Sequence, residues 1–130
     1  MNKIEVRHFF DAAHQLKDSS ELVTKACAQL HGHTYGVIVE VAVDELNRAG
    51  MVIDFKAIKQ VIDRLDHKYI NDVFRGLDIK LEPSAENIAI VIYDWVEQLD
   101  PRLRVLAVKV CEGYKGLERA SWAIYEPHKR

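Results

Sequence analysis

From His31 to Val43 the chain alternates without a break. His31, His33, Tyr35, Val37, Val39, Val41 and Val43 fall on one side, and Gly32, Thr34, Gly36, Ile38, Glu40 and Ala42 on the other. Strand side chains alternate between faces, so such a run folds as a strand whose apolar face another layer must cover. The same alternation has a chemical consequence. His31 and His33, two residues apart, point the same way and can grip one metal ion from one face. Residues 3–14 repeat the pattern, with Ile4, Val6, His8, Phe10, Ala12 and His14 opposed to Lys3, Glu5, Arg7, Phe9 and Asp11. Successive strands of this kind are expected to pair antiparallel. Pairing would bring His14, at the end of the first, toward His31 and His33.

The remaining segments supply the covering layer. Residues 15–30 break the alternation, start polar at Lys17-Asp18-Ser19-Ser20 and carry Cys27. Asn47-Arg48-Ala49-Gly50 reads as a turn. Asp54 is placed to cap a helix over residues 55–65, with Phe55, Ile58, Val61, Ile62 and Leu65 on one stripe. The polar stretch Leu65 to Asp72 is expected to end that helix, with a loop through Gly76. Ser84 is the N-cap of a second helix running to about Leu99, with Ile88, Val91, Ile92, Trp95 and Leu99 inward; Asp100-Pro101 stops it. Residues 105–111 and 120–125 read as two further strands joined through Gly113-Tyr114-Lys115-Gly116. The order ββααββ predicts an α+β fold, a four-stranded antiparallel sheet with both helices on one face. The other face is left for solvent or for assembly.

A chain of 130 residues is expected to form a single domain, residues 1–130, with a true core. A formal charge of −2 provides no basic field for nucleic acid. No apolar run approaches the ~20 residues that span a bilayer, so no membrane partner is expected. The first residues lack the apolar segment of a secretory signal. Two cysteines, Cys27 and Cys111, make no disulfide framework, and the expectation is a reduced, cytoplasmic protein.

Three imidazoles from two adjacent strands, with a fourth position open, are the donor set of a catalytic zinc site. The alternative is that the histidines are ordinary surface residues. A thiol such as Cys27 is a weak base unless a neighbouring cation or histidine activates it. Lys25 is close in sequence, and Asp66-His67 is the better partner, because a carboxylate fixes the tautomer of a histidine and supports its cationic form. Asp66 and His67 read equally well as residues that cap the end of a helix. Cys111 lies in an apolar strand and reads as core, and Glu112 reads as an exposed glutamate.

Together these segments resemble the 6-pyruvoyl-tetrahydropterin synthase / 6-carboxy-tetrahydropterin synthase family. The matching pieces are Phe10-Asp11-Ala12-Ala13-His14, Cys27-Ala28-Gln29-Leu30-His31-Gly32-His33, Gly50-Met51-Val52-Ile53-Asp54-Phe55, Leu65-Asp66-His67, Pro83-Ser84-Ala85-Glu86-Asn87 and Val108-Lys109-Val110-Cys111-Glu112. They span nearly the whole chain in the family's order. The resemblance implies the tunnelling fold, in which ββααββ subunits join their sheets into a barrel. It also implies trimers, commonly stacked as hexamers, with active sites between subunits. His14, His31 and His33 would bind Zn2+. Cys27 would be the proton-transfer base, with Asp66 and His67 assisting from a neighbouring subunit. Glu112 would hold the guanidine-like edge of a pterin, with Ser84 and Glu86 also on the substrate. Ala85, where some relatives carry a threonine, removes one hydroxyl contact.

The implied substrate is 7,8-dihydroneopterin triphosphate. Three residues separate Cys27 from His31, a spacing that resembles the 6-carboxy-tetrahydropterin synthases of queuosine (7-deazaguanine) biosynthesis. The expected products are 6-carboxy-5,6,7,8-tetrahydropterin, acetaldehyde and triphosphate. The alternatives are the 6-pyruvoyl product, side-chain cleavage as in a folate-pathway branch that tends to carry Glu near the Cys27 position, and a pterin-binding protein without catalysis.

Overall fold

The computed structural model describes residues 1–17, 28–113 and 119–127. Among these, β1 (Asn2–His14) and β2 (His31–Val43) are the two long alternating runs, followed by α1 (Phe55–Ile62), a 3-10 turn (Asp63–Leu65), β3 (Lys68–Tyr69), α2 (Ile70–Gly76), α3 (Ala85–Glu97), β4 (Arg104–Cys111) and β5 (Trp122–Tyr125). The sheet order is β3-β1-β2-β4-β5. β1 and β2 pair antiparallel along their full length, Asn2 opposite Val43 and His14 opposite His31. β2 continues antiparallel to β4, with a register shift at Glu40/Val41, and β4 to β5.

Among the described residues the sheet therefore has five strands rather than the expected four, and the elements named include three helices rather than two. Both additions come from the stretch read as a polar helix end and loop. Lys68 and Tyr69 pair parallel with Ala12 and Ala13 at the edge of β1. Immediately after them, Ile70 and Phe74 repeat at i, i+4 and are fully buried, so one apolar stripe of two turns suffices to fold α2 against the sheet. A segment this short gives too few repeats for periodicity to register.

The caps form where the sequence puts them. Asp54 accepts from the Lys56 N–H at 2.9 Å and Ser84 from the Asn87 N–H at 3.2 Å. Gly50, at φ 78°, closes the turn in which the Asn47 side chain accepts from the Ala49 and Met51 N–H groups. The first helix tightens into the 3-10 turn three residues before Leu65. Phe55, expected on its inward stripe, is 55% exposed, because the first helical position precedes the turn that lies on the sheet.

The core lies between one sheet face and the helices. Phe10, Tyr35, Val37, Val39 and Val110 of the strands meet Ile58, Ile62, Phe74, Ile88 and Ile92 of the helices, all essentially inaccessible. The opposite face carries Phe9 and Ile124, each more than half exposed, and the Glu40–Lys109 ion pair at 3.5 Å. No described helix is long and apolar enough to cross a membrane.

Candidate functional site

The antiparallel register of β1 and β2 does for the histidines what alternation alone could not. Pairing His14 with His31 and Ala12 with His33 places three imidazoles on the helix-covered face at one end of the sheet. Their ring centroids lie 4.5–5.1 Å apart. One ligand atom from each lies within 4.8 Å of the others.

Backbone contacts fix two tautomers. His14 Nδ1 is 2.7 Å from the Pro83 carbonyl oxygen and His31 Nδ1 is 2.6 Å from that of Gln29. A carbonyl only accepts, so both Nδ1 atoms carry a proton, and in the neutral rings both Nε2 atoms present lone pairs. Those lone pairs face each other at 2.9 Å. Two neutral acceptors at that distance repel unless a cation lies between them; tetrahedral coordination at ~2.0 Å per bond sets ligand nitrogens about 3.3 Å apart. His33 Nε2 is buried without a hydrogen-bond partner. Burial lowers the His33 imidazole below its ordinary value; His14 and His31 add to the effect and Glu112 opposes it. A neutral ring is the form that ligates. The three residues fit a metal ion.

Glu112 is not the isolated exposed residue its sequence position suggested. It follows β4 on the histidine side, its Oε2 3.5 Å from His33 Nε2 and its side chain one-third exposed. It also lines a recess of about 420 Å³ with Ala85, Glu86, Ser121, Trp122 and Ala123. Ser84 caps α3 beside this recess, its oxygen engaged by Asn87 while its hydroxyl hydrogen remains available. Cys111 is buried core, as read from the sequence, and burial raises its thiol.

Sequence reasoning passed over Tyr35. Its ring stacks on Phe10 at 4.7 Å and meets His14 and His33 edge-on at 5.7 and 5.4 Å. Its hydroxyl is buried without a hydrogen-bond partner, and burial, reinforced by Glu112, pushes the phenol far up. It is thus a neutral floor under the histidines. The signal was available, since Tyr35 continues the face of His31 and His33.

Asp66 and His67 form a second cluster, with Asp11. Asp66 Oδ2 is 3.0 Å from His67 Nδ1. Asp66 Oδ1 accepts the Asp11 N–H at 3.0 Å, and the Asp11 carbonyl accepts the His67 N–H at 2.6 Å. The Asp11 N–H is the main reason the Asp66 carboxyl sits below its ordinary value, and His67 adds to it. His67 occupies the left-handed region at φ 57°, which costs a non-glycine residue on the order of 1 kcal/mol. His67 and His33 both line an open cleft of about 660 Å³. Cys27 and Lys25 lie outside the described residues.

The family model described as 6-pyruvoyl tetrahydropterin synthase matches residues 3–127. The chain belongs to that family. Among curated relatives, the 6-carboxy-5,6,7,8-tetrahydropterin synthase of Bacillus subtilis is 32% identical over 111 residues, covering 80% of this chain and 73% of the relative. A dihydroneopterin monophosphate aldolase of Pyrococcus furiosus is 33% identical over 100 residues, covering 74% and 75%. The structure of Caenorhabditis elegans 6-pyruvoyl tetrahydropterin synthase shares the fold at a TM-score of 0.64 and 23% identity, covering 98% of this chain and 96% of that one. Relatives of nearly equal identity carry different activities in their names, so family membership establishes tetrahydropterin synthase ancestry and leaves the reaction to the site.

Proposed function

We propose that this protein is a zinc-dependent lyase that converts 7,8-dihydroneopterin triphosphate and water to 6-carboxy-5,6,7,8-tetrahydropterin, acetaldehyde and triphosphate, in queuosine biosynthesis. The observation that carries the metal reading is the pair of Nε2 lone pairs at 2.9 Å, each fixed by a backbone carbonyl behind it. A site of neutral imidazoles alone suits Zn2+ better than Mg2+ or Ca2+. The three-residue spacing between Cys27 and His31 and the Bacillus subtilis relative favour the carboxy product.

In this reading His14, His31 and His33 hold the zinc. Bound there, it supplies Lewis acidity to the substrate's side-chain hydroxyls, easing loss of the adjacent protons. Glu112 accepts two N–H groups from the pterin edge, and this anchors the ring. Ser84 and Glu86, beside the Glu112 recess, contribute further polar contacts. Tyr35 keeps the floor of the site neutral and apolar. Cys27 removes and returns protons at the side chain, and Asp66–His67 relays them, with Asp66 fixing the tautomer at Nδ1.

The active site is completed between subunits. Beyond Ala12 and Ala13, the outer edge of β1 has no described partner strand, and β5 ends the sheet on the other side. Paired edges and a shared uncovered face make a barrel of trimers or hexamers.

Incubating the purified protein with 7,8-dihydroneopterin triphosphate and identifying the pterin by mass tests the reaction. The 6-carboxy product with acetaldehyde is expected. A 6-pyruvoyl product overturns this assignment within the family, and no turnover by zinc-loaded protein supports a pterin-binding role instead. The Pyrococcus furiosus relative gives side-chain cleavage specific weight as the competing reaction; 6-hydroxymethyl-dihydropterin would reveal it.

A further inference from the structure

Asp11 commits both its backbone and its side chain to the neighbourhood of His67. The backbone contribution is fixed by the strand: its N–H holds Asp66 Oδ1 at 3.0 Å and its carbonyl accepts the His67 N–H at 2.6 Å. The side chain is held separately. Thr34, directly opposite Asp11 on β2, donates its hydroxyl to Asp11 Oδ1 at 2.6 Å. Clamped this way, the Asp11 carboxylate lies with the Asp66 carboxylate and a His67 ring nitrogen in one group, all within 4.8 Å.

The His67 side chain is 80% exposed, so packing does little to fix its ring. Asp66 holds Nδ1, and one contact leaves an exposed ring free to swing about its side-chain bonds. A second carboxylate within 4.8 Å of the same ring, itself held by Thr34, offers the ring another acceptor and narrows that freedom. We propose that Asp11, clamped by Thr34, is a positioning residue for the Asp66–His67 pair, holding the imidazole in its proton-transfer orientation. The proposal rests on the reading that this pair relays protons.

The test compares Asp11→Asn, Asp11→Glu, Thr34→Val and His67→Ala in the zinc-loaded protein with 7,8-dihydroneopterin triphosphate. Asp11→Asn keeps both backbone bonds and an acceptor for Thr34 while removing the charge. Its kcat is expected to fall about tenfold with KM changed less than about twofold. Metal content and melting temperature stay at the parent values. Asp11→Glu, which keeps the charge, is expected to recover most of that loss, and Thr34→Val to lose about two- to threefold. Parental kcat in Asp11→Asn alongside an impaired His67→Ala overturns the role of Asp11. So does a loss of kcat that tracks a loss of metal or of melting temperature, which would make Asp11 merely structural. Full turnover in His67→Ala overturns the underlying reading of the pair, a result separable from the other two.

Discussion

The two histidine-bearing clusters of this molecule are built in opposite ways. The His14–His31–His33 cluster sits on the helix-covered face, with His14 fully buried, two rings pinned by carbonyls and a stacked Phe10–Tyr35 floor beneath. The Asp66–His67 cluster sits at the sheet edge, with His67 80% exposed and its backbone in the left-handed region. The first is complete within one chain, because packing and backbone hold it. The second is held by hydrogen bonds to one residue of β1 and faces outward, as the proposed sharing of the site between subunits requires. Under the proposed function, rigidity lies where a metal would require fixed geometry, and exposure where a partner or substrate would arrive.

The comparison breaks most visibly at the metal cluster. His31→Ala should reduce bound zinc from about one per chain to below a tenth of that, with turnover lost, because two imidazoles seldom retain the ion. Elemental analysis checks this, and unchanged zinc would remove the metal reading. Cys27→Ala should fold and keep its zinc while turnover falls on the order of 10²–10⁴-fold, the range of general acid–base catalysis. Full activity in that variant would exclude the thiol as the base.

At the edge cluster the contrast predicts loss of function without loss of structure. His67→Ala should lower turnover roughly 10²-fold with zinc content unchanged. Mixed oligomers of Cys27→Ala and His67→Ala chains should regain activity if the site is shared between subunits; verified mixed assemblies that stay inactive would confine it to one chain. Ser84→Ala should cost about 1 kcal/mol of stability through the lost cap of α3, read from chemical denaturation.

The smallest effect concerns pH. The Asp66 carboxyl is lowered in the folded state, chiefly by the Asp11 N–H. A lowered folded value means the ionised form stabilises the fold above the ordinary carboxylate range, and this stability drains as pH falls through the folded value. Asp66→Asn should therefore flatten the acid limb of the stability profile below about pH 4, with a small loss of stability at neutral pH that fades as pH falls through the folded value. An unaltered acid limb would show that the hydrogen bond carries no linkage.

Much of this was legible from residue order. Alternation in residues 31–43 and 3–14 specified two strands and a shared face for His31 and His33, because period 2 is a property of the extended backbone itself, while the pairing register brought His14 to them. Asp54 and Ser84 announced their helices, because a cap is a local bond. Tertiary structure decided the rest. Glu112 reads as an ordinary glutamate until β4 pairs with β2 and delivers it to His33. α2 and β3 exist because Ile70 and Phe74 find a core that a two-turn helix could not provide for itself. Asp11 reads as a solvated strand residue until the chain returns after Leu65 and docks Asp66 and His67 on it. The sequence by itself determined which side chains share a face, since that follows from local geometry. Which faces meet, and so which donors converge, required register and packing between segments more than fifty residues apart.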